Sequence, residues 1–303
     1  MDLFFSPHCG TLLTGYPPAV VTIHDLTPAL MPLHSRRITA MLKFFLFSAV
    51  RFSEVVITDS DYTKKQLMSL YGVPESKVSV VHLGCDHERF NRGAINAEQH
   101  EQSLSRFGIK RPYILHHGVA KPNKNLKRLI QAYRLMLERN STLDVGLVLA
   151  GPLGLMGEEL LSEAAKLGAK GRVTFTGPLG DNDLVLLLKG ATLVAIPSLN
   201  EGFCLPMVEA MACGIPTVCA NASCLPEICG GVLRFFDPYE VEDIANCIEE
   251  ALVNDVLRMQ LSVEGQRRAQ NFTWLRCAQE TLRILERVAT SHSRKKARGV
   301  AAS

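Results

Sequence analysis

Two glutamates separated by seven residues, Glu201 and Glu209, form a pair that could do chemistry. They lie in the segment SLNEGFCLPMVEAMACG, residues 198–214. The apolar run over residues 191–197 is typical of a buried parallel strand, and Pro206 favours the first turn of a following helix. Such strand-loop-helix junctions in open α/β sheets bind nucleotides, because the amides at the helix start face an anion. We therefore expect Glu209 to accept hydrogen bonds from a ribose and Glu201 to face a sugar.

A lysine at the start of a second predicted helix indicates the same kind of ligand. The loop GVAKPNKNL, residues 118–126, follows a predicted strand, and Lys124 stands where a helix over residues 124–137 is expected to begin. The helix dipole disfavours a cation there unless an anion bridges the lysine and the helix amides. A nucleotide diphosphate is such an anion. We therefore predict that Lys124, with help from Lys121 or the helix amides, binds a diphosphate.

These motifs resemble those of the retaining GT-B glycosyltransferases of family 4, the glycosyl transferases group 1. The resemblance starts from the E-x7-E pair. Pro197 and Ser198 precede the pair, and its second glutamate begins the segment EAMACGIP, residues 209–216. Further matches are LPE at residues 225–227, PNKN at residues 122–125, and the strand VVTIHDL at residues 20–26, which contains His24. The segments around His24 and Lys124 are most similar to the branch around mannosyltransferase B.

The resemblance implies an α/β fold of the GT-B type, with two Rossmann-like doubly wound domains of which the first is incomplete. It implies a retaining transfer of a hexose, with mannose favoured, from GDP-mannose or a UDP-sugar to a polysaccharide, a lipid-linked sugar or another sugar. The catalytic residues that it implies are His24 and Glu201. The donor-binding residues that it implies are Gly118, Lys124, Gly202, Phe203, Cys204, Leu205 and Glu209.

In this family His24 would contact the donor sugar and screen charge on the leaving phosphate, and it need not act as a base. Cys204 departs from the usual glycine, so donor contacts there depend on a negative backbone angle. No metal ion or other cofactor is expected, since lysine and helix amides take its place. The Asp59-Ser60-Asp61 segment has the form of a metal-binding Asp-x-Asp, but we expect Ser60 or Asp61 to cap a helix instead.

Strand and helix patterns alternate along the chain, which is typical of parallel α/β sheets. The predicted strands cover residues 20–23, 55–58, 78–81, 113–117, 145–150, 173–175, 192–196 and 217–220. The predicted helices include residues 34–52, 61–71 and 124–137. We expect a partial acceptor-side domain over residues 1–107, a nucleotide-sugar-binding domain over 108–271, a helix over 272–290 that crosses back to the first domain, and a basic disordered tail over 291–303. Because the family's first domain opens with further βα units, an N-terminally truncated chain that binds donor but transfers sugar poorly is expected.

The composition places the protein among ordinary cytoplasmic ones. The net charge of +3 is too small to indicate a nucleic-acid partner, the nine cysteines show no metal-binding spacing, and no lysine or arginine precedes Arg36. The apolar run over residues 44–50 is too short to span a bilayer, so we expect a buried helix face. A peripheral contact with the inner face of the membrane, which a basic tail would support, is the alternative.

Two other functions compete with a transferase. One is a non-catalytic partner subunit that binds a nucleotide sugar and lacks the acceptor half, which the missing opening units favour. The other is a glycoside hydrolase that uses Glu201 and Glu209 as paired carboxylates, which must face each other across the scissile bond. Two glutamates on one loop-helix segment fit that geometry poorly.

Overall fold

The computed structural model describes residues 3–8, 17–31, 36–168 and 172–300. The chain divides into two compact units. The first comprises Met1–Gly84, Glu201–Phe203 and Phe272–Ser303, and the second comprises Cys85–Asn200 and Cys204–Asn271. The division after Gly84 differs from the boundary predicted at residue 107, because the helix over Ala97–Phe107 belongs to the second unit.

The first unit is built on a sheet of four parallel strands in the order β1-β2-β3-β4. Its elements are β1 (Phe4–Ser6), β2 (Ala19–Ile23), α1 (Thr27–Leu30), α2 (Arg36–Phe52), β3 (Val55–Thr58), α3 (Asp61–Tyr71) and β4 (Val78–Val80). Strands β2, with the sequence AVVTI, and β3, with the sequence VVIT, are buried along their whole length. Their β-branched residues are typical of strands in a sheet that is covered on both faces.

The long helix α12 (Trp274–Val300) completes this unit. Its Ile284 and Val288 pack in one apolar cluster with strand residues that include Val20 and Val55. The helix extends to Val300, into the segment that the sequence predicts to be a disordered tail. Residues 301–303 lie outside the described residues.

The second unit contains a sheet of six parallel strands in the order β10-β9-β8-β5-β6-β7. Its strands are β5 (Tyr113–His117), β6 (Gly146–Ala150), β7 (Val173–Gly177), β8 (Leu193–Ile196), β9 (Thr217–Ala220) and β10 (Arg234–Phe236). Its helices are α4 (Ala97–Phe107), α5 (Leu126–Arg139), α6 (Gly157–Ala165), α7 (Asp181–Gly190), α8 (Leu205–Ala212), α9 (Leu225–Cys229), α10 (Val241–Val253) and α11 (Asp255–Ala269). Because all six strands are parallel, their carboxyl ends lie at one edge of the sheet, where ligands bind in such folds.

Two local predictions are resolved by the helix ends. The Ser60 hydroxyl accepts a hydrogen bond from the Thr63 amide at 3.2 Å and caps α3, which confirms the capping role expected for the Asp-x-Asp-like segment. Lys124 does not begin α5: it ends a 3-10 turn over Pro122–Lys124, and Asn125 in a left-handed conformation separates that turn from the helix.

The apolar run of α2 is only partly buried. Leu46, Ala49 and Val50 pack in the core, whereas Phe44 and Phe47 are 55% and 54% exposed. The expectation of a buried helix face over residues 44–50 is therefore wrong for these phenylalanines. The first two residues of the predicted helix, 34 and 35, lie outside the described residues.

Candidate functional site

His24 follows β2 in the first unit and pairs with a buried carboxylate. Its Nδ1 lies 2.8 Å from Oδ2 of Asp59, which directly follows the neighbouring strand β3. Its Nε2 lies 2.9 Å from the backbone carbonyl of Pro7, just after β1. The hydrogen bond to Asp59 raises the pKa of His24, although burial opposes the shift. The ends of three adjacent parallel strands thus hold the imidazole in place.

Glu201, Gly202 and Phe203 belong to the first unit. Gly202 lies so close to the backbone after β2 that a Cβ atom built on it would be 1.8 Å from the carbonyl oxygen of His24. The Phe203 ring is buried and contacts the Phe272 ring edge-to-face, with the ring centres 5.4 Å apart. The side chain of Phe203 therefore packs inside the protein, so its backbone would have to make any contact with the donor. Glu201 is partly buried.

In the second unit, the loop after β5 carries Gly118 and Lys124. Gly118 has a φ of 133°, and its carbonyl oxygen comes within 2.4 Å of a Cβ built on Gly151, so the loops after β5 and β6 approach each other closely. Lys124 is partly buried. Burial lowers the pKa of the neighbouring His116 to about 3, and the positive charge of Lys124 adds to this shift.

The Lys124 turn is tied to the loop between β8 and α8. The side-chain amide of Asn123 donates to the Asn200 carbonyl at 2.9 Å, and the Leu199 amide donates to the Asn123 carbonyl at 2.7 Å. The side-chain amide of Asn125 donates to the Pro197 carbonyl at 3.1 Å. These hydrogen bonds bring the two loops that the sequence singles out to the same place at the carboxyl edge of the sheet.

Helix α8 begins after Cys204, whose backbone is left-handed with a φ of 73° and a ψ of 67°. The condition set by the sequence, a negative angle at this cysteine, is not met. Its side chain is buried and makes no capping hydrogen bond to the helix. A residue with a Cβ loses about 1–2 kcal/mol in this conformation, which explains why a glycine suits the position. Leu205 is the first residue of the helix and is partly buried.

Glu209 lies on α8 and accepts a hydrogen bond from His117, for which the sequence predicts no role. Its Oε2 is 2.9 Å from Nε2 of His117, the last residue of β5. The His117 side chain is 5% exposed, and its Nδ1 has no hydrogen-bond partner among the described residues. His117 thus positions the carboxylate beside the loop that starts at Gly118. No local pattern indicates this contact, because the two residues are 92 positions apart.

The predicted site residues are thus distributed over both units. His24, Glu201, Gly202 and Phe203 lie in the first, and Gly118, Lys124, Cys204, Leu205 and Glu209 lie in the second. Within the described part of the chain, no three His, Cys, Asp or Glu side chains are grouped so that they could hold a metal ion. Among the same residues, no helix is long and apolar enough to cross a membrane.

Two family models match this chain. The one described as glycosyl transferases group 1 matches residues 99–268, more than half of the chain, and the one described as glycosyltransferase family 4 matches residues 3–89. The chain therefore belongs to the glycosyl transferases group 1 family. This confirms the resemblance drawn from the E-x7-E pair and the PNKN loop, and it makes the protein a glycosyltransferase by family.

Curated relatives and solved structures agree with this assignment. The chain is 28% identical over 266 residues to the O-antigen chain mannosyltransferase B of Escherichia coli, covering 87% of this chain and 69% of that protein. It is 28% identical over 290 residues to the serotype-specific mannosyltransferase WbdA of Escherichia coli, covering 91% of this chain and 35% of that protein. The chain thus spans about a third of the length of this second relative.

A solved structure shows the same fold. The crystal structure of Anabaena Alr3699/HepE in complex with UDP-glucose superimposes with a TM-score of 0.75 at 24% identity, covering 89% of this chain and 72% of that chain. The predicted fold class, α/β of the GT-B type with two parallel-sheet domains, is confirmed.

Proposed function

We propose that this glycosyltransferase is a retaining hexosyltransferase that transfers a sugar, with mannose favoured, from a nucleotide diphosphate sugar to a polysaccharide or lipid-linked acceptor. The preference for mannose rests on the two Escherichia coli mannosyltransferases among its relatives. A nucleotide sugar as donor is supported by the Anabaena neighbour, which binds UDP-glucose. In this proposal His24 and Glu201 act on the sugar, and no metal ion takes part.

The observation that carries the proposal is that hydrogen bonds hold the Lys124 turn against the loop before α8. A lysine, the start of α8 and the carboxylate of Glu209 are held at one edge of one sheet by the hydrogen bonds of Asn123 and His117. A diphosphate suits the cation and the positive end of the helix dipole, and a ribose diol suits an ionised carboxylate. One ligand class, a nucleoside diphosphate, meets all three requirements.

Lys124→Ala tests this arrangement. We expect the variant to lose affinity for GDP and UDP about tenfold or more, because a charge-assisted hydrogen bond to phosphate is removed, and to bind the free nucleosides as before. The matched control is Lys110→Ala, since Lys110 is exposed and precedes β5, at the opposite edge of the sheet. Equal losses for diphosphate and nucleoside in calorimetry would contradict a phosphate role for Lys124.

The competing functions make different predictions. A non-catalytic partner subunit would bind the nucleotide sugar and release no sugar to any acceptor in a panel of free and lipid-linked saccharides. The proposed retaining transferase would yield a product that keeps the anomeric configuration of the donor. A hydrolase is disfavoured, because one oxygen of Glu209 is taken by His117, beside the predicted nucleotide loops, whereas a hydrolase needs both of its carboxyl groups at the scissile bond.

We further propose that helix α2 contacts an anionic membrane surface, with the protein on the cytoplasmic side. The helix contains Arg37, Lys43 and Arg51 but no acidic residue, and it exposes a set of large apolar side chains. These are Ile38, Met41, Phe44, Phe45 and Phe47. Apolar groups beside basic ones are what an interfacial helix uses on anionic lipid.

Vesicle binding tests this contact. The protein should co-sediment with vesicles that contain phosphatidylglycerol and remain in solution with neutral phosphatidylcholine vesicles. The double variant F44S/F47S should lose the binding, whereas the control L70S, which changes an equally exposed leucine on α3, should keep it. Equal binding by wild type and F44S/F47S would contradict the proposal.

A further inference from the structure

The second unit contains a cavity of about 720 Å³ that is formed by α4, α7 and the segment before α4. Its walls come from residues 89–106 on one side and from residues 182–189 of α7 on the other. Sites for small molecules usually have volumes of about 300–1,000 Å³. None of the described residues that line this cavity is one that we predict to contact the donor. The cavity is therefore large enough for a small ligand and is lined by other residues than the predicted nucleotide site.

Lys189, in the last turn of α7, brings a positive charge to this cavity. The residue is partly buried, and its Nζ donates to two neutral acceptors, Oδ1 of Asn91 at 3.1 Å and the Gly93 carbonyl at 3.1 Å. Among the residues that the structure describes, Lys189 forms no ion pair with a carboxylate. An ammonium group has three N–H donors, so one of them is left for a ligand. An anionic group would supply the charge that this lysine lacks.

Two arginines on the same walls add hydrogen-bond donors. Arg106 of α4 forms an ion pair with Asp183 of α7, and Arg89 pairs with Asp86 and Asp181. Their charges are thus compensated within the protein. A guanidinium group has five N–H donors, however, and these carboxylates do not use all of them. The walls therefore offer an anionic ligand one uncompensated cation and further donors.

The rest of the lining suits a ligand with hydroxyl groups. Gln99 and Asn182 line the cavity, and neither side-chain amide has a hydrogen-bond partner among the described residues. An amide side chain both donates and accepts hydrogen bonds, as a hydroxyl group does. Ile95, Val185 and Leu186 add apolar surface, against which the C–H groups of a sugar ring can pack.

We propose that this cavity binds a small sugar phosphate, with the phosphate at Lys189 and the hydroxyl groups at Gln99 and Asn182. This site is additional to the nucleotide site of the proposed function and does not depend on it. A sugar phosphate carries both the charge that the ammonium group needs and the hydroxyl groups that the amides need. A free sugar lacks the first, and inorganic phosphate lacks the second.

Calorimetry on the full chain with mannose 6-phosphate as the probe tests the site. Saturating GDP is present throughout, which keeps the probe out of the predicted nucleotide site at Lys124. We expect saturable binding at one site, with mannose and inorganic phosphate each binding about tenfold more weakly or less, because each makes only part of the contacts. Absence of saturable binding would overturn the proposal. Binding that occurs without GDP and is abolished by it would place the probe in the nucleotide site and would overturn the proposal as well.

Two variants separate the two halves of the site. Lys189→Gln should weaken the binding of mannose 6-phosphate and of inorganic phosphate about tenfold, because a charge-assisted hydrogen bond is lost, and should leave GDP affinity unchanged. Gln99→Ala, at an exposed position, should weaken the binding of mannose 6-phosphate about threefold and leave that of inorganic phosphate unchanged.

The matched control is Lys110→Gln, the same change at an exposed lysine that does not line the cavity. It should bind mannose 6-phosphate as the wild type does, and thermal unfolding without ligand checks that each variant is folded. Gln99→Ala also keeps the proposal open to refutation if Lys189→Gln does not fold. Wild-type affinity for mannose 6-phosphate in either folded cavity variant, or an equal loss in Lys110→Gln, would overturn the assignment.

Discussion

At the level of single side chains, Glu209 has one carboxylate oxygen committed to His117 and a second oxygen for a ligand. Glu209→Ala should weaken the binding of GDP and UDP by about 1.5–3 kcal/mol, because hydrogen bonds from the ribose to an ionised group are lost. Isothermal titration calorimetry measures this change, and circular dichroism checks that the fold is retained.

The control for this substitution is Glu138→Ala, which removes an exposed glutamate from the last turn of α5. It should leave both affinities unchanged. If Glu209→Ala binds GDP and UDP as tightly as the wild type, the ribose assignment is wrong.

Cys204 offers a second test, because its backbone is left-handed and its side chain is buried. Cys204→Gly and Cys204→Ala both remove the sulfur, but only glycine adopts this conformation without strain. We expect the glycine variant to be more stable than the alanine variant by about 1 kcal/mol. Urea unfolding of the two variants measures the difference, and an alanine variant of equal or greater stability would show that the position carries no strain.

The residues that could be predicted from sequence are those within one motif. Lys124, Glu201 and Glu209 are recognisable from their spacing relative to glycine, proline and the preceding strand. Asp59 and His117 could not be predicted, because their roles come from partners 35 and 92 positions away. Asp59 also stands inside an Asp-x-Asp pattern whose simplest explanation, a helix cap at Ser60, is correct and hides the contact with His24.

At the level of elements, strand β5 carries a histidine that must be neutral for the second unit to be stable. His116 donates through Nδ1 to the Ala195 carbonyl of β8 at 3.0 Å, and burial lowers its pKa to about 3. The unfolded chain binds the proton near pH 6.5, so the free energy of unfolding should fall as the pH drops from about 6.5 towards 3, by at most about 1.4 kcal/mol per pH unit from this residue.

Urea unfolding between pH 7 and pH 5 measures this slope. His116→Gln keeps a donor for the Ala195 carbonyl and removes the titrating group, so its slope should be smaller than that of the wild type by up to one proton. An unchanged slope in His116→Gln would contradict the burial of a neutral imidazole as the cause.

Elements with strong patterns could be predicted well, and short ones could not. The strands Val55–Thr58, Tyr113–His117 and Thr217–Ala220 have the bounds expected from their β-branched and apolar runs. The sequence does not predict β1 or β10, because neither three-residue strand lies in a longer run of β-branched residues. The sequence around Lys124 predicts a helix start where the structure has a 3-10 turn, because proline favours the first residues of either element.

At the level of the whole molecule, the donor contacts predicted for Gly118, Lys124, Cys204, Leu205 and Glu209 lie in a few segments of the second unit. GDP should therefore slow hydrogen exchange at the amides of residues 118–126 and 204–209, because binding removes local opening there. Mass spectrometry resolves this protection by segment. Helix α3 in the first unit serves as the internal control and should exchange at the same rate with and without GDP; protection absent from both loops would contradict the proposed nucleotide site.

The path of the chain has a consequence for dissecting this protein genetically. The first unit takes its residues from three stretches, and its apolar cluster needs Ile284 and Val288 from the far end of the sequence. A gene fragment that stops at Gly84 would encode a sheet without the helix that covers one of its faces, so no single cut can liberate both units intact. A circular permutant that joins the carboxyl-terminal helix to the amino terminus through a flexible linker would encode nearly the whole first unit as one continuous reading frame, leaving only residues 201–203 to be supplied.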